Sequence, residues 1–173
     1  DATICSSDTK TLAGTIGGGA TSLTWSTDGD GTFSDTASAT AVYTPGSGDI
    51  STGSVTLTMT TDDPTGPCNA VTDTMVLTID PAAVVDAGTD ATICSSTSTY
   101  TLVGTISGGA ASSTWTTSGD GSFSDATSVT AIYTPGANDI STGSVTLTLT
   151  SDNPTGPCDA VSDTMVLTIS PVA

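Results

Sequence analysis

Val55-Thr56-Leu57-Thr58-Met59-Thr60 sets an apolar residue at every second position, with threonine between. Successive side chains of a strand point to opposite faces, so Val55, Leu57 and Met59 line one face and the threonines the other. Met75-Val76-Leu77-Thr78-Ile79 keeps the same period of two. Outward from this pair, shorter strand signals recur at Ala2–Cys5, Thr11–Ile16, Ser22–Thr27, Thr32–Ser34 and Ala39–Thr44. Gly17-Gly18-Gly19, Asp28-Gly29-Asp30-Gly31 and Pro45-Gly46 interrupt them with turn-forming residues. Some seven strands in about 85 residues, without a helix, predict an all-β fold of immunoglobulin-like antiparallel sandwich type. Trp25, on the third strand, is a candidate core residue.

The chain says all of this twice. Asp1-Ala-Thr-Ile-Cys5 returns as Asp90-Ala-Thr-Ile-Cys94, and residues 11–80 match 101–170 at 51 of 70 positions. Trp25 recurs as Trp115, Tyr43 as Tyr133, Cys68 as Cys158 and Met75 as Met165. A repeat this long is a whole domain, longer than a solenoid coil. The expectation is two tandem sandwiches in line: a first repeat over 1–80, a linker and start of the next first strand over 81–88, and a second repeat over 89–173. Asp80-Pro81 leads a short, semi-rigid connection. The first repeat lacks a counterpart of Val84–Gly88. Two units of a longer array, or a subunit whose first strand a neighbour completes, would account for that.

Composition narrows the function. The 18 acids are all Asp, with no Glu, Arg or His, and Lys10 is the one cation, giving a net charge of −17. Phosphate binding needs Lys or Arg, so nucleic acid is excluded as a partner, and so are anionic membranes. No apolar run is long enough to span a bilayer, and membrane insertion is not expected. Without His or Glu, triads and metal–histidine sites are unavailable, and every remaining candidate is duplicated. The reading is therefore not an enzyme. Lys–Asn cross-links as a repeated feature are also excluded, because Tyr100 replaces Lys10 in the second repeat.

Each repeat holds two cysteines, none in a zinc-type spacing. Even numbers in a small helix-poor domain point to disulfides and an oxidising, extracellular or cell-surface setting. All four, Cys5, Cys68, Cys94 and Cys158, are expected to be oxidised. The favoured pairing is within repeats, Cys5–Cys68 and Cys94–Cys158. A pairing between repeats, such as Cys5–Cys158, stays open, because strand end and final hairpin lie at opposite poles of such a fold.

The runs Trp25-Ser-Thr-Asp28-Gly29-Asp30-Gly31, Tyr43-Thr-Pro45-Gly46 and Gly53-Ser-Val-Thr-Leu-Thr-Met resemble the PKD-type immunoglobulin-like module. With Asp-Ala-Thr-Ile-Cys and Gly-Pro-Cys added, the whole repeat is similar to tandem repeats of Bacteroidetes-type surface adhesins. The module's usual Trp-Asp-Phe is Trp-Ser-Thr here. The resemblance implies a secreted adhesin, stalk or fibre component. It also implies O-glycosylation at Asp-Thr followed by a small or apolar residue, which Thr36, Thr74 and Thr164 match.

Asp28, Asp30 and Asp35, with Asp120 and Asp125 in the second repeat, alternate with glycines as in a calcium loop, but no closing Glu follows. An Asp-Gly turn explains the same residues and is favoured. Calcium is the only cofactor the composition suggests; a second candidate place for it is around Asp86, Asp90 and Asp152. The expected function is a structural repeat giving length, spacing and assembly, partnered by like domains of the same or neighbouring chains. Exposed threonine rows without Lys gatekeepers leave sheet edges open to pairing. The alternative is a module binding glycan or a surface polymer through the loops Gly17–Thr21 and Gly108–Ala111.

Overall fold

A computed structural model of the protein describes every residue except Cys68, Thr155 and Ala173. The chain forms two compact units, Asp1–Pro81 with Thr155–Cys158, and Ala82–Pro154 with Asp159–Ala173. The first contains β1 (Ala2–Cys5), β2 (Lys10–Thr11), β3 (Leu23–Thr27), β4 (Thr32–Phe33), β5 (Val42–Thr44), α1 (Ser47–Thr52), β6 (Ser54–Thr61) and β7 (Thr72–Asp80). The second contains β8 (Ala83–Asp86), β9 (Ala91–Cys94), β10 (Tyr100–Thr101), β11 (Thr105–Gly108), β12 (Ser113–Thr117), β13 (Ser122–Phe123), β14 (Ile132–Thr134), α2 (Ala137–Thr142), β15 (Ser144–Ser151) and β16 (Ser162–Ser170).

Each unit is an all-β, immunoglobulin-like sandwich. In the first, a four-stranded sheet in the order β1-β7-β6-β3 faces a three-stranded sheet in the order β2-β5-β4. β6 and β7 pair antiparallel, with Val55 opposite Leu77 and Leu57 opposite Met75. The period of two in both strands therefore presents one apolar face: Val55, Leu57, Leu77 and Ile79 are buried and join Leu12, Leu23, Trp25 and Tyr43 in a single core. Each such side chain contributes about 1.5–3 kcal/mol on burial. β1 runs parallel to β7, Ile4 opposite Ile79 and Cys5 opposite Asp80. The second unit repeats the pattern as β12-β15-β16-β9 and β10-β14-β13, and adds the antiparallel pair β8-β11.

Two expectations change. The repeats are not free of helix: Ser47–Thr52 and Ala137–Thr142 each form six residues of it. The local chemistry explains why. Asp49 sits three residues into the element after Gly46, and its carboxylate accepts the Gly46 N–H at 3.0 Å. That acid reaching back satisfies a donor the first turn would otherwise leave orphaned. Gly53, at φ 79°, stops the helix in the left-handed conformation. Nor is Thr11–Ile16 one strand. Pairing with β5 stops after Thr11, although Leu12 N–H still reaches the Ala41 carbonyl and Gly14 N–H the Ala39 carbonyl, each at 2.8 Å.

Candidate functional site

The acidic hairpin end comes first, because it holds the candidate calcium residues. Asp30 lies over the start of α1 and accepts the N–H groups of Gly48 at 2.9 Å and Asp49 at 3.1 Å. Those backbone bonds hold its carboxyl below the usual aspartate range. Asp28 accepts the Thr56 N–H at 2.8 Å and is lowered for the same reason. Asp35 accepts the Ala37 N–H two residues on, and Asp125 the Thr127 N–H and hydroxyl. Asp120 repeats the role of Asp30 over α2, accepting from Asn138 and Asp139.

Where the second repeat replaces Asp28 by Ser118, the serine hydroxyl accepts the matching Thr146 N–H at 3.0 Å. A position filled equally well by carboxylate or hydroxyl serves as a backbone acceptor. Among the described residues no three acidic, histidine or cysteine side chains gather as a cation site. Asp86, Asp90 and Asp152 are likewise engaged by the N–H groups of Gly88, Val166 and Ala111 with Ser112.

One acid at this end went unnoticed in the sequence. Asp49 is 2% exposed, and besides Gly46 it accepts the Tyr43 hydroxyl at 2.6 Å and the Asp30 N–H at 3.1 Å. Asp139 does the same with Tyr133, Gly136 and Asp120. Burial works to raise the Asp139 pKa, but these hydrogen bonds outweigh it and the carboxyl is lowered. Burial, then the bond to the acid, pushes each tyrosine up to about 12. This tyrosine–aspartate pair ties the helix to the hairpin in both units. The signal that could have found it was the Gly46-x-x-Asp49 spacing of a helix start.

The proposed glycan loops are closed by acids too. Asp62 accepts the Thr21 N–H at 2.9 Å, the Thr21 hydroxyl at 2.6 Å and the Ser22 N–H at 3.1 Å. Trp25 and Trp115 are buried at 7% and 2% exposure, stacked toward Phe33 and Phe123 rather than presented to a ligand. Thr36, Thr74 and Thr164 are all exposed, the latter two on β7 and β16 opposite Thr58 and Thr148.

The cysteines correct the favoured pairing. Cys5 and Cys158 form a disulfide with Cα atoms 4.9 Å apart, across 153 positions of sequence. Both are buried, and the Cys158 sulfur rests 3.5 Å from the Asp80 carbonyl oxygen. Cys94 is an exposed free thiol, so the expectation that all four are oxidised fails there as well. Cys68, the expected partner of Cys5, lies outside the described residues, and Cys5 is bonded to Cys158 instead. The reason is geometric. Cys94 sits opposite Ser170, at the end of β16, while Cys158 precedes the start of that strand at Ser162. Eight residues of strand rise about 26 Å. Disulfide Cα atoms must lie within about 7 Å.

No known protein family matches the chain, and no curated protein does. Solved structures with a likeness to it include human CDH23 EC21-23 at 15% identity, covering 95% of this chain and 59% of that one, with a TM-score of 0.41. Drosophila N-cadherin EC1-4 matches at 11% identity over 86% of this chain and 41% of that one, TM-score 0.42. Extracellular cadherin domains 1-4 of protocadherin gamma B7 match at 11% identity over 98% and 48%, TM-score 0.41. The chain thus spans about half the length of these extracellular-domain structures, and at these values they say nothing of its ligand or partner.

Proposed function

We propose that the chain is a structural repeat module of an extracellular adhesin, stalk or fibre, supplying length, spacing and assembly without catalysis, with like repeats as its partners. The observation that carries this reading is the Cys5–Cys158 disulfide, which joins a cysteine of the first repeat to one of the second. Spanning 153 positions, the bond limits how far the chain can be extended, which is what a spacer under tension requires. Disulfides persist in oxidising compartments, in keeping with a cell-surface setting. No described helix is long and apolar enough to cross a membrane.

Pulling single molecules by their two ends tests this. With the bond intact, the 153-position stretch it spans is bypassed and stays unextended. Reduction is expected to release roughly 500–550 Å of additional contour length. The same contour length with and without reductant would refute the reading of the pair as a length-limited spacer.

A further inference from the structure

The Cys5–Cys158 bond meets the first unit at one residue, Asp80. Pro81 follows Asp80, and a residue before proline is confined to extended backbone. Asp80 ends β7 in that state, opposite Cys5 on β1. Its carbonyl oxygen accepts the Ser6 N–H at 2.8 Å and lies 3.5 Å from the Cys158 sulfur. The floor under the bond is therefore fixed by the ladder and by the proline.

Gly156-Pro157-Cys158 lies against this floor. Gly156 has φ 100°, a left-handed conformation open to glycine, and a Cβ there would strike the Asp80 carboxylate. Pro157 locks the next φ near about −65°. The segment is thus stiff and closely fitted. Gly156 and Pro157 face solvent, while Cys158 is 2% exposed and Cys5 4%.

That burial bears on the chemistry of the bond. A thiolate reduces a disulfide by attacking one sulfur and displacing the other as thiolate. With a small dithiol, the first attack leaves a mixed disulfide. The second sulfur of the reagent then closes a ring and releases the protein thiolate. The dithiol gives up two electrons and two protons, and both cysteines end as thiols. Attack needs a path to a sulfur, and burial of both closes it. The Asp80 carboxylate against Gly156, in a chain of net charge −17, further disfavours an approaching anion.

We propose that Gly156–Cys158 is a cover that makes the Cys5–Cys158 bond a gated redox switch. Seated on Asp80, the segment shields both sulfurs; lifted, it admits a thiol. Gly156 is the positioning residue, because only a residue without a Cβ lets the backbone lie against the Asp80 carboxylate. The spacer reading concerns what the bond spans, whereas this proposal concerns what can reach it.

The test follows reduction of the oxidised full chain by a small dithiol, quenched by alkylation and read by mass at Cys5 and Cys158. It is run in native buffer and in denaturant. Gly66→Ala is the matched control for Gly156→Ala. Gly66 also precedes a proline and has φ 129°, but a Cβ there would meet nothing within 4 Å. The expected result is native reduction at least about 100-fold slower than reduction of the unfolded chain. Gly156→Ala is expected to be reduced at least about tenfold faster than the parent in native buffer, and Gly66→Ala at the parent's rate. A parent reduced equally fast folded and unfolded overturns the proposal. So does a Gly156→Ala chain reduced at the parent's rate, or equal acceleration by both substitutions. Where Gly156→Ala fails to form the bond, the folded-to-unfolded ratio of the parent decides. Contour length is compared before and after complete reduction and does not depend on these rates, so the two readings fail separately.

Discussion

The strands Ala2–Cys5 and Ala91–Cys94 have the same four residues and the same neighbour. Each runs parallel to the last strand of its unit, Ile4 opposite Ile79 and Ile93 opposite Ile169. Ile4 and Cys5 are buried, while Ile93 is half-buried and Cys94 exposed. The difference lies outside the strand: Cys5 is bonded to Cys158, whereas Cys94 is a free thiol among the described residues. The same strand sequence thus sets the shape of a position, and a segment distant in sequence, Thr155–Cys158, decides its chemistry.

Substitution breaks the comparison most sharply. Cys5→Ser opens a loop spanning 153 positions and should cost about 5 kcal/mol by loop-closure entropy. Cys94→Ser touches no bond and should stay within about 0.5 kcal/mol of the parent. Denaturant unfolding monitored separately on each unit checks both. Equal effects from the two substitutions would contradict the assignment.

A smaller effect should be shared by both units. Tyr43 and Tyr133 titrate at about 12 in the folded chain, against an ordinary value of 10.0. The folded state therefore holds these protons more tightly than the unfolded state. That stabilisation is complete below pH 10 and lost as pH rises from about 10 to 12. Tyr43→Phe and Tyr133→Phe should each flatten that decline in its own unit, as thermal melts across the range would record. A decline left unchanged by either substitution would sever the tyrosine–aspartate link from stability.

The contrast also marks what was legible in the sequence. Val55–Thr61 and Met75–Ile79 announced their strands because period two and burial coincide there. The helices hid because Ser47-Gly-Asp-Ile-Ser-Thr52 has neither length nor helical periodicity; their support is the carboxylate of Asp49 and the left-handed Gly53. The acids at 28, 30 and 35 read as turn residues first and as cation ligands second, because a carboxylate suits an ion and a backbone N–H alike. Only the fold shows the N–H groups that arrive, from β6 at Asp28, from α1 at Asp30 and from Ala37 at Asp35. Cysteine counting led to the wrong partners, since a count of two per repeat is satisfied equally by pairing within and between repeats.

The most direct test of the account is peptide mapping of the oxidised chain under non-reducing conditions, after native-state alkylation. The account predicts a Cys5–Cys158 cross-linked peptide that separates only on reduction, and an alkylated Cys94. A Cys94–Cys158 peptide, with Cys5 joined to Cys68, would contradict it.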